Sequence, residues 1–170
     1  MHRPPGKNVV AMDEMVQKVK AAADARRDPD LQIIARTDAR AVEGLDRAIE
    51  RAHAYTEAGA DMAFVEAPLD LAELGRIGRE IEAPQVVNIV FGGKTPDPGQ
   101  PELARMGFAM VLYANAVLQA AVKGAINVLD ALKRDGTLNG VQSQLVSFEE
   151  RQRIVQKPLW DALEIRSVTR

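Results

Sequence analysis

A chain of 170 residues with 46% hydrophobic content has apolar material for one buried core, and its length is that of a single domain. A formal net charge of −2, with acidic and basic residues interspersed, provides no general attraction to nucleic acid or to an anionic membrane. The absence of cysteine excludes a disulfide framework and a thiolate nucleophile, and two histidines argue against a structural zinc site. No apolar run approaches a membrane span, and the opening MHRPPGKNVV lacks the apolar centre of a signal peptide. A cytoplasmic protein with neither a nucleic-acid nor a membrane partner is therefore expected.

In chain order, DEMVQKVKAAADARR places Met15, Val19 and Ala22 at helical spacing with charges between them, which predicts a surface helix. LQIIA, from Leu31, predicts a short buried strand ending at Arg36, Thr37 and Asp38. EGLDRAIERAHAYTEAGA predicts a second helix with Leu45, Ala48, Ile49 and Ala52 inward and Gly59 as its C-cap. The strand DMAFVEAP and the helix LDLAELGRIGREI follow. A third strand, PQVVNIV, runs into the Gly-rich loop FGGKTPDPG. A short helix at PELARM leads through Gly107 to the strand FAMVLYA, and a long helix over residues 115–134 ends at DGT. The rhythm is β-α four times over, in periods of roughly 20 to 30 residues, and the strands are apolar on both faces as a covered parallel sheet requires. From Thr137 onward, SFEERQRIVQKPLWDALEIR is an amphipathic tail, interrupted by Pro158 beside the only Trp. It suits an arm docking on another subunit, or a terminal helix packed on its own domain.

Every strand delivers polar groups at the same end: Arg36, Thr37 and Asp38, then Glu66, then Asn88 with Lys94 and Thr95 beyond it, then Tyr113 and Asn115. In α/β proteins the carboxyl ends of parallel strands hold the chemistry. A guanidinium there grips a carboxylate, Glu66 can act as a base or order a water, Asn88 can donate to an oxyanion, and Lys94 and Thr95 can close over an anion. Bland alternatives stay open for each. Asp38 can cap the next helix, Glu66 can be half of an ion pair with Arg36, Gly92-Gly93 can be a plain turn, and Lys94 can be merely solvated. His53 reads as a surface residue and His2 is too near the terminus to judge.

The stretches IIARTDARAVEGLDRAIERA and AGADMAFVEAP, followed by NIVFGGKTP, resemble the isocitrate lyase/phosphoenolpyruvate mutase superfamily. The resemblance is to its 2-methylisocitrate lyase, carboxyphosphonoenolpyruvate phosphonomutase and 2-alkylmalate lyase branch. It implies a Mg2+-dependent TIM-type (βα) barrel, here a partial one of about four C-terminal βα units over residues 1–136. Residues 137–170 form a C-terminal helical arm, of the kind exchanged between subunits of a homo-oligomer. The family's carboxylate-binding arginine falls on Arg36, its active-site glutamate on Glu66 and its substrate-contacting asparagine on Asn88. Its Gly-Lys-Thr-Pro segment falls on Gly93, Lys94, Thr95 and Pro96. Arg36 and Glu66 are thereby implied as catalytic, and Arg36, Asn88, Gly93, Lys94, Thr95 and Pro96 as substrate-binding. The implied reaction is carbon–carbon cleavage of a 2-hydroxy or 2-alkyl malate-type acid through an enolpyruvate-like intermediate. Phosphorus–carbon chemistry on carboxyphosphonoenolpyruvate is the alternative inside the family. A catalytically inactive half-barrel that needs a partner chain is the alternative outside it.

The departures from the family pattern are specific. Relatives carry a Lys-Arg-Cys-Gly-His segment just before the part matched here, of which only His2 remains. The carboxylates that order Mg2+ also lie upstream in relatives, so no metal ligand is expected among these residues. Phe91 stands where relatives have glutamate.

Overall fold

The computed structural model describes residues 6 and 8–168, with side chains to Arg166; His2 lies outside the described residues. The chain divides into two compact units that meet in sequence between Ala116 and Val117.

The first unit holds α1 (Met12–Ala25), β1 (Ile34–Thr37), α2 (Arg40–Glu43), α3 (Leu45–Glu57), β2 (Met62–Val65), α4 (Leu71–Glu80), β3 (Gln85–Val90), α5 (Gln100–Arg105) and β4 (Phe108–Ala114). The four strands form one parallel sheet in the order β1-β2-β3-β4. An α/β fold with a parallel sheet is therefore present, as expected. Because the order never reverses, right-handed crossovers place every intervening helix on the same face. The main core shows that face: Ala63, Val65, Val87 and Ile89 from the strands meet Ala48, Ile49 and Ala52 of α3, Leu74 and Ile77 of α4, and Leu103 of α5.

Local chemistry places the elements. Asp70 caps α4 by accepting the Glu73 N–H at 2.8 Å. The end of α3 is a Schellman turn, in which Gly59 at φ +109° lets its N–H reach Thr56 O and the Ala60 N–H reach Tyr55 O. Gly44, at φ +93°, separates α2 from α3 where one continuous helix start was expected.

Two expectations need correction. The first strand begins at Ile34 and includes Arg36 and Thr37, leaving Leu31 58% exposed. The backbone of Ile33 is taken up by Asp61 instead: its N–H donates to the carboxylate at 2.8 Å, and its carbonyl accepts the Asp61 N–H at 2.9 Å. Second, apolar residues on both faces did not mean burial on both faces. β2 is wholly buried, but Ile34 of β1 and Met110, Leu112 and Tyr113 of β4 are exposed. These two strands are the sheet's edges among the described residues. An edge strand has half the neighbours of a central one.

Arg40 of α2 forks onto the Glu73 carboxylate of α4 at 2.6 and 2.9 Å, and Glu73 also accepts the Leu69 N–H at 2.8 Å. The arginine holds the Glu73 carboxyl below its ordinary value, against the opposing effect of burial. A carboxyl lowered in the folded state stabilises above its unfolded value, and that stability is lost as pH falls through the folded one. The stability gap between wild type and Glu73→Gln, read from urea midpoints, should therefore be widest near neutrality. It should close as pH drops below about 4.5.

The second unit consists of α6 (Ala116–Asp135), a single 3-10 turn at Gln142–Gln144, α7 (Phe148–Ile154) and α8 (Lys157–Val168). Pro158 is the second residue of α8, where a missing N–H costs nothing, and the break before it falls at Gln156 with φ +52°. Among the described residues, no helix is long and apolar enough to cross a membrane.

Candidate active site

The carboxyl ends of the strands surround a cavity of about 640 Å³ lined by Glu66, Ala67, Asn88, Val90, Gly93, Lys94 and Thr95, with Ala41 and Val42 of α2 and with Gly6. Of the residues singled out in the sequence, Glu66, Asn88, Gly93, Lys94 and Thr95 thus face one space. Pro96 is not among those lining it, and Phe91 stands 86% exposed on the adjoining turn. Parallel register explains the convergence. Arg36 pairs with Phe64 and Asn88 with Leu112, so residues at matched heights leave the sheet at one rim.

Arg36 stands beside Glu66, with Nη2 at 3.4 Å from Glu66 Oε2. Its guanidinium forks onto Asp38, Nε to Oδ2 at 2.9 Å and Nη2 to Oδ1 at 3.1 Å, and lies 5.1 Å from the centre of the Phe64 ring. Asp38 therefore grips Arg36. The hydrogen bond to Asp38 raises the affinity of Arg36 for its proton; partial burial opposes this and the Glu66 charge assists it. A guanidinium has more N–H donors than one carboxylate can accept, so a second carboxylate can join without displacing Asp38.

Two buried oxygens at the cavity have no hydrogen-bond partner, Glu66 Oε2 and Asn88 Oδ1. Buried acceptors are normally satisfied, so the pair calls for a donor from a ligand or an ordered water. Directly after Glu66 the chain turns at Ala67 with φ +58°, a left-handed conformation that a non-glycine residue seldom adopts. That turn puts Glu66 and Ala67 together in the cavity wall. Gly93 closes the next loop by donating its N–H to Val90 O at 2.8 Å, which brings Lys94 and Thr95 back over the site.

The magnesium ion implied by the resemblance does not fit these residues by themselves. Mg2+ demands near-octahedral oxygen coordination. Asp38 and Glu66, the carboxylates at the rim, already flank one arginine, and no group of three or more His, Cys, Asp or Glu residues that could hold a metal occurs among the described residues.

Sequence reasoning missed the walls. Ala41, Val42 and Ala67 carry no chemical signal, and Arg51 was passed over. Arg51 did have one: it falls between Ala48 and Ala52 on the inward stripe of α3, where a charge needs a reason. It is 3% exposed and borders a second cavity of about 210 Å³ shared with Arg36, Thr37 and Asp38. His53 is half-buried on α3, away from both sets of lining residues.

A family model described as phosphoenolpyruvate phosphomutase matches residues 2–133. The chain is 43% identical over 145 residues to 2,3-dimethylmalate lyase of Eubacterium barkeri, covering 85% of this chain and 50% of that protein. It is 47% identical over 135 residues to 2-methylisocitrate lyase of Shewanella oneidensis, covering 79% and 46%. A crystal structure of phosphonopyruvate hydrolase in complex with oxalate and Mg2+ superposes with a TM-score of 0.81 at 28% identity, covering 96% of this chain and 59% of that one. The chain thus spans about half the length of the curated relatives it matches. A match this long, on a parallel α/β sheet with its polar groups gathered at one rim, means that the chain belongs to the isocitrate lyase/phosphoenolpyruvate mutase superfamily.

Proposed function

We propose that these residues form the substrate-carboxylate side of a carbon–carbon lyase site, acting on a 2-hydroxy or 2-alkyl malate-type acid. The observation that carries this reading is the buried Asn88 Oδ1, without a hydrogen bond, lining one cavity with the Glu66 carboxylate, whose Oε2 faces the Arg36 guanidinium at 3.4 Å with no hydrogen bond of its own. Arg36 takes one carboxylate of the acid, with Lys94 and Thr95 over the anion. Glu66 Oε2 accepts the proton of the 2-hydroxyl, C2 becomes a carbonyl as the C2–C3 bond breaks, and the electron pair left on C3 passes into its own carboxylate until C3 takes a proton from water. The relatives named as lyases support the reaction type. The hydrolase that binds oxalate and Mg2+ supports both a small dicarboxylate as ligand and a metal in the complete site.

The sheet itself is read as part of a barrel, because four parallel strands in unreversed order leave two open edges that closure would remove. The exposed Phe148, Trp160 and Ile165 support reading residues 137–170 as an arm that docks on a second copy of the chain. The inactive half-barrel is a second reading, favoured by the lack of a metal-ligand cluster among the described residues. Phosphonate chemistry is a third, favoured by the likeness to phosphonopyruvate hydrolase.

Pyruvate release from 2-methylmalate and 2-methylisocitrate, followed with a coupled dehydrogenase, and oxalate release from oxaloacetate test the lyase reading. Turnover abolished by EDTA and by Arg36→Ala is the expected result. Oxalate binding without turnover of any acid would instead support the half-barrel. Turnover of a phosphonate alone would support the third reading.

A further inference from the structure

We propose that Arg51 is a positioning residue for the carboxylate cavity, tying two of its walls to one buried guanidinium. The proposal rests on the carboxylate reading given above. Arg51 makes four hydrogen bonds to three segments. Nε and Nη2 fork onto Glu43 of α2 at 2.8 and 2.9 Å. Nη1 donates to the carbonyl of Val10 at 3.0 Å and to the Tyr55 hydroxyl on its own helix at 3.1 Å.

Each of the two outside partners continues into the cavity wall. Glu43 ends the short helix whose Ala41 and Val42 line the cavity. Val10 belongs to a strap of residues 8–11, and Gly6, earlier in the chain, lines the cavity too. The same guanidinium borders the smaller cavity, where Asn8, Val9 and Val10 face Arg36, Thr37 and Asp38. Arg51 therefore borders both the strap and the end of β1 that carries the Arg36–Asp38 fork, and is not among the residues lining the main cavity.

Stability alone is a poor reason for this arrangement. Burying an ion pair exacts a desolvation penalty that its own attraction barely repays, and apolar replacements of similar volume are often as stable or more so. What such a pair supplies and an apolar pair does not is direction: a planar fork accepts Glu43 in one geometry, while a remaining N–H fixes one carbonyl. α2 has a second tether through Arg40 and Glu73. The strap's tether from a buried side chain is Arg51. Loss of Arg51 should thus free the strap most, α2 partly, and the central strands not at all.

The test uses the whole chain, oxalate as the probe, titration calorimetry for affinity and amide hydrogen exchange for position. Arg51→Lys keeps the charge and the stem but loses the fork, and should bind oxalate about tenfold more weakly. Its exchange should quicken at residues 41–43, whose N–H groups donate to the Asp38 and Ala39 carbonyls, and stay unchanged in β2 and β3. The double variant Arg51→Met/Glu43→Leu replaces the ion pair by apolar groups. It should melt within a few degrees of wild type yet show the same affinity loss and the same local exchange. Unchanged affinity in both variants overturns the proposal. So does exchange that rises uniformly, which would mark a merely structural residue. If wild type takes up no oxalate, the carboxylate reading falls, and the exchange arm then decides the tether by itself: exchange at residues 41–43 as slow in Arg51→Lys as in wild type overturns it.

Discussion

Arg36→Ala should weaken oxalate binding by about 100-fold, close to 3 kcal/mol, while the fold survives. Arg36 is the cation beside the unpartnered Glu66 oxygen, and its side chain is 45% exposed at the rim, so its removal leaves no cavity in the core. The loss has two sources. The incoming carboxylate forfeits a charge-assisted fork. It also meets Asp38 and Glu66 stripped of their shared counter-charge, two carboxylates that would then repel it. Arg36→Lys separates the two, because it retains the charge without the planar fork and should fall between wild type and alanine. Calorimetric titration with oxalate gives the series directly. Binding by the alanine variant within threefold of wild type would remove Arg36 from the carboxylate site.

Gly78→Ala should cost about 3 kcal/mol of stability, at the upper end for overpacking. Gly78 lies in α4 where the helix crosses the turn before β4, and a Cβ there would stand 1.8 Å from the backbone oxygen of Met106. A backbone carbonyl cannot rotate aside as a side chain can, so α4 or the Met106–Gly107 turn must shift. Gly107 is close-packed against Gly78 from the other side, at φ +99°, and offers no slack. The same chemical change at Gly124 of α6, where nothing lies within 4 Å, should stabilise by about 0.5–1 kcal/mol, because alanine loses less backbone freedom on folding. Urea midpoints of the two variants should move in opposite directions. Midpoints that move together would mean that the crossing of α4 over Met106 is looser than drawn.

The legible part of the fold was its periodic part. The strand over Phe108–Ala114 and the long helix after it lie where the apolar pattern put them. LQIIA was misplaced by three residues because its entry into the sheet is set by Asp61, a carboxylate 28 positions away that captures the Ile33 backbone. Nothing local to Leu31 records that contact. The same holds for α2, whose ends are held by Glu73 and Arg51 and not by any helical period of its own.

For the candidate site, Arg36, Glu66, Asn88 and the Gly93–Thr95 loop were readable because polar residues that end apolar strands are exceptions to a pattern, and parallel strands bring such exceptions to one edge. The sequence by itself determined the order of elements, which follows from spacing along the chain, and the family, which follows from the resemblance of its specific stretches. Only the tertiary structure decided what those residues do to each other. It showed that Asp38 grips Arg36, that Glu66 stands against the same guanidinium, that Asn88 keeps a buried oxygen without a hydrogen bond, and that Arg51 reaches from α3 to the strap and to α2. Hydrogen bonds depend on distance and angle in three dimensions, and residues 8 and 41 positions apart meet at one guanidinium only after the chain has folded.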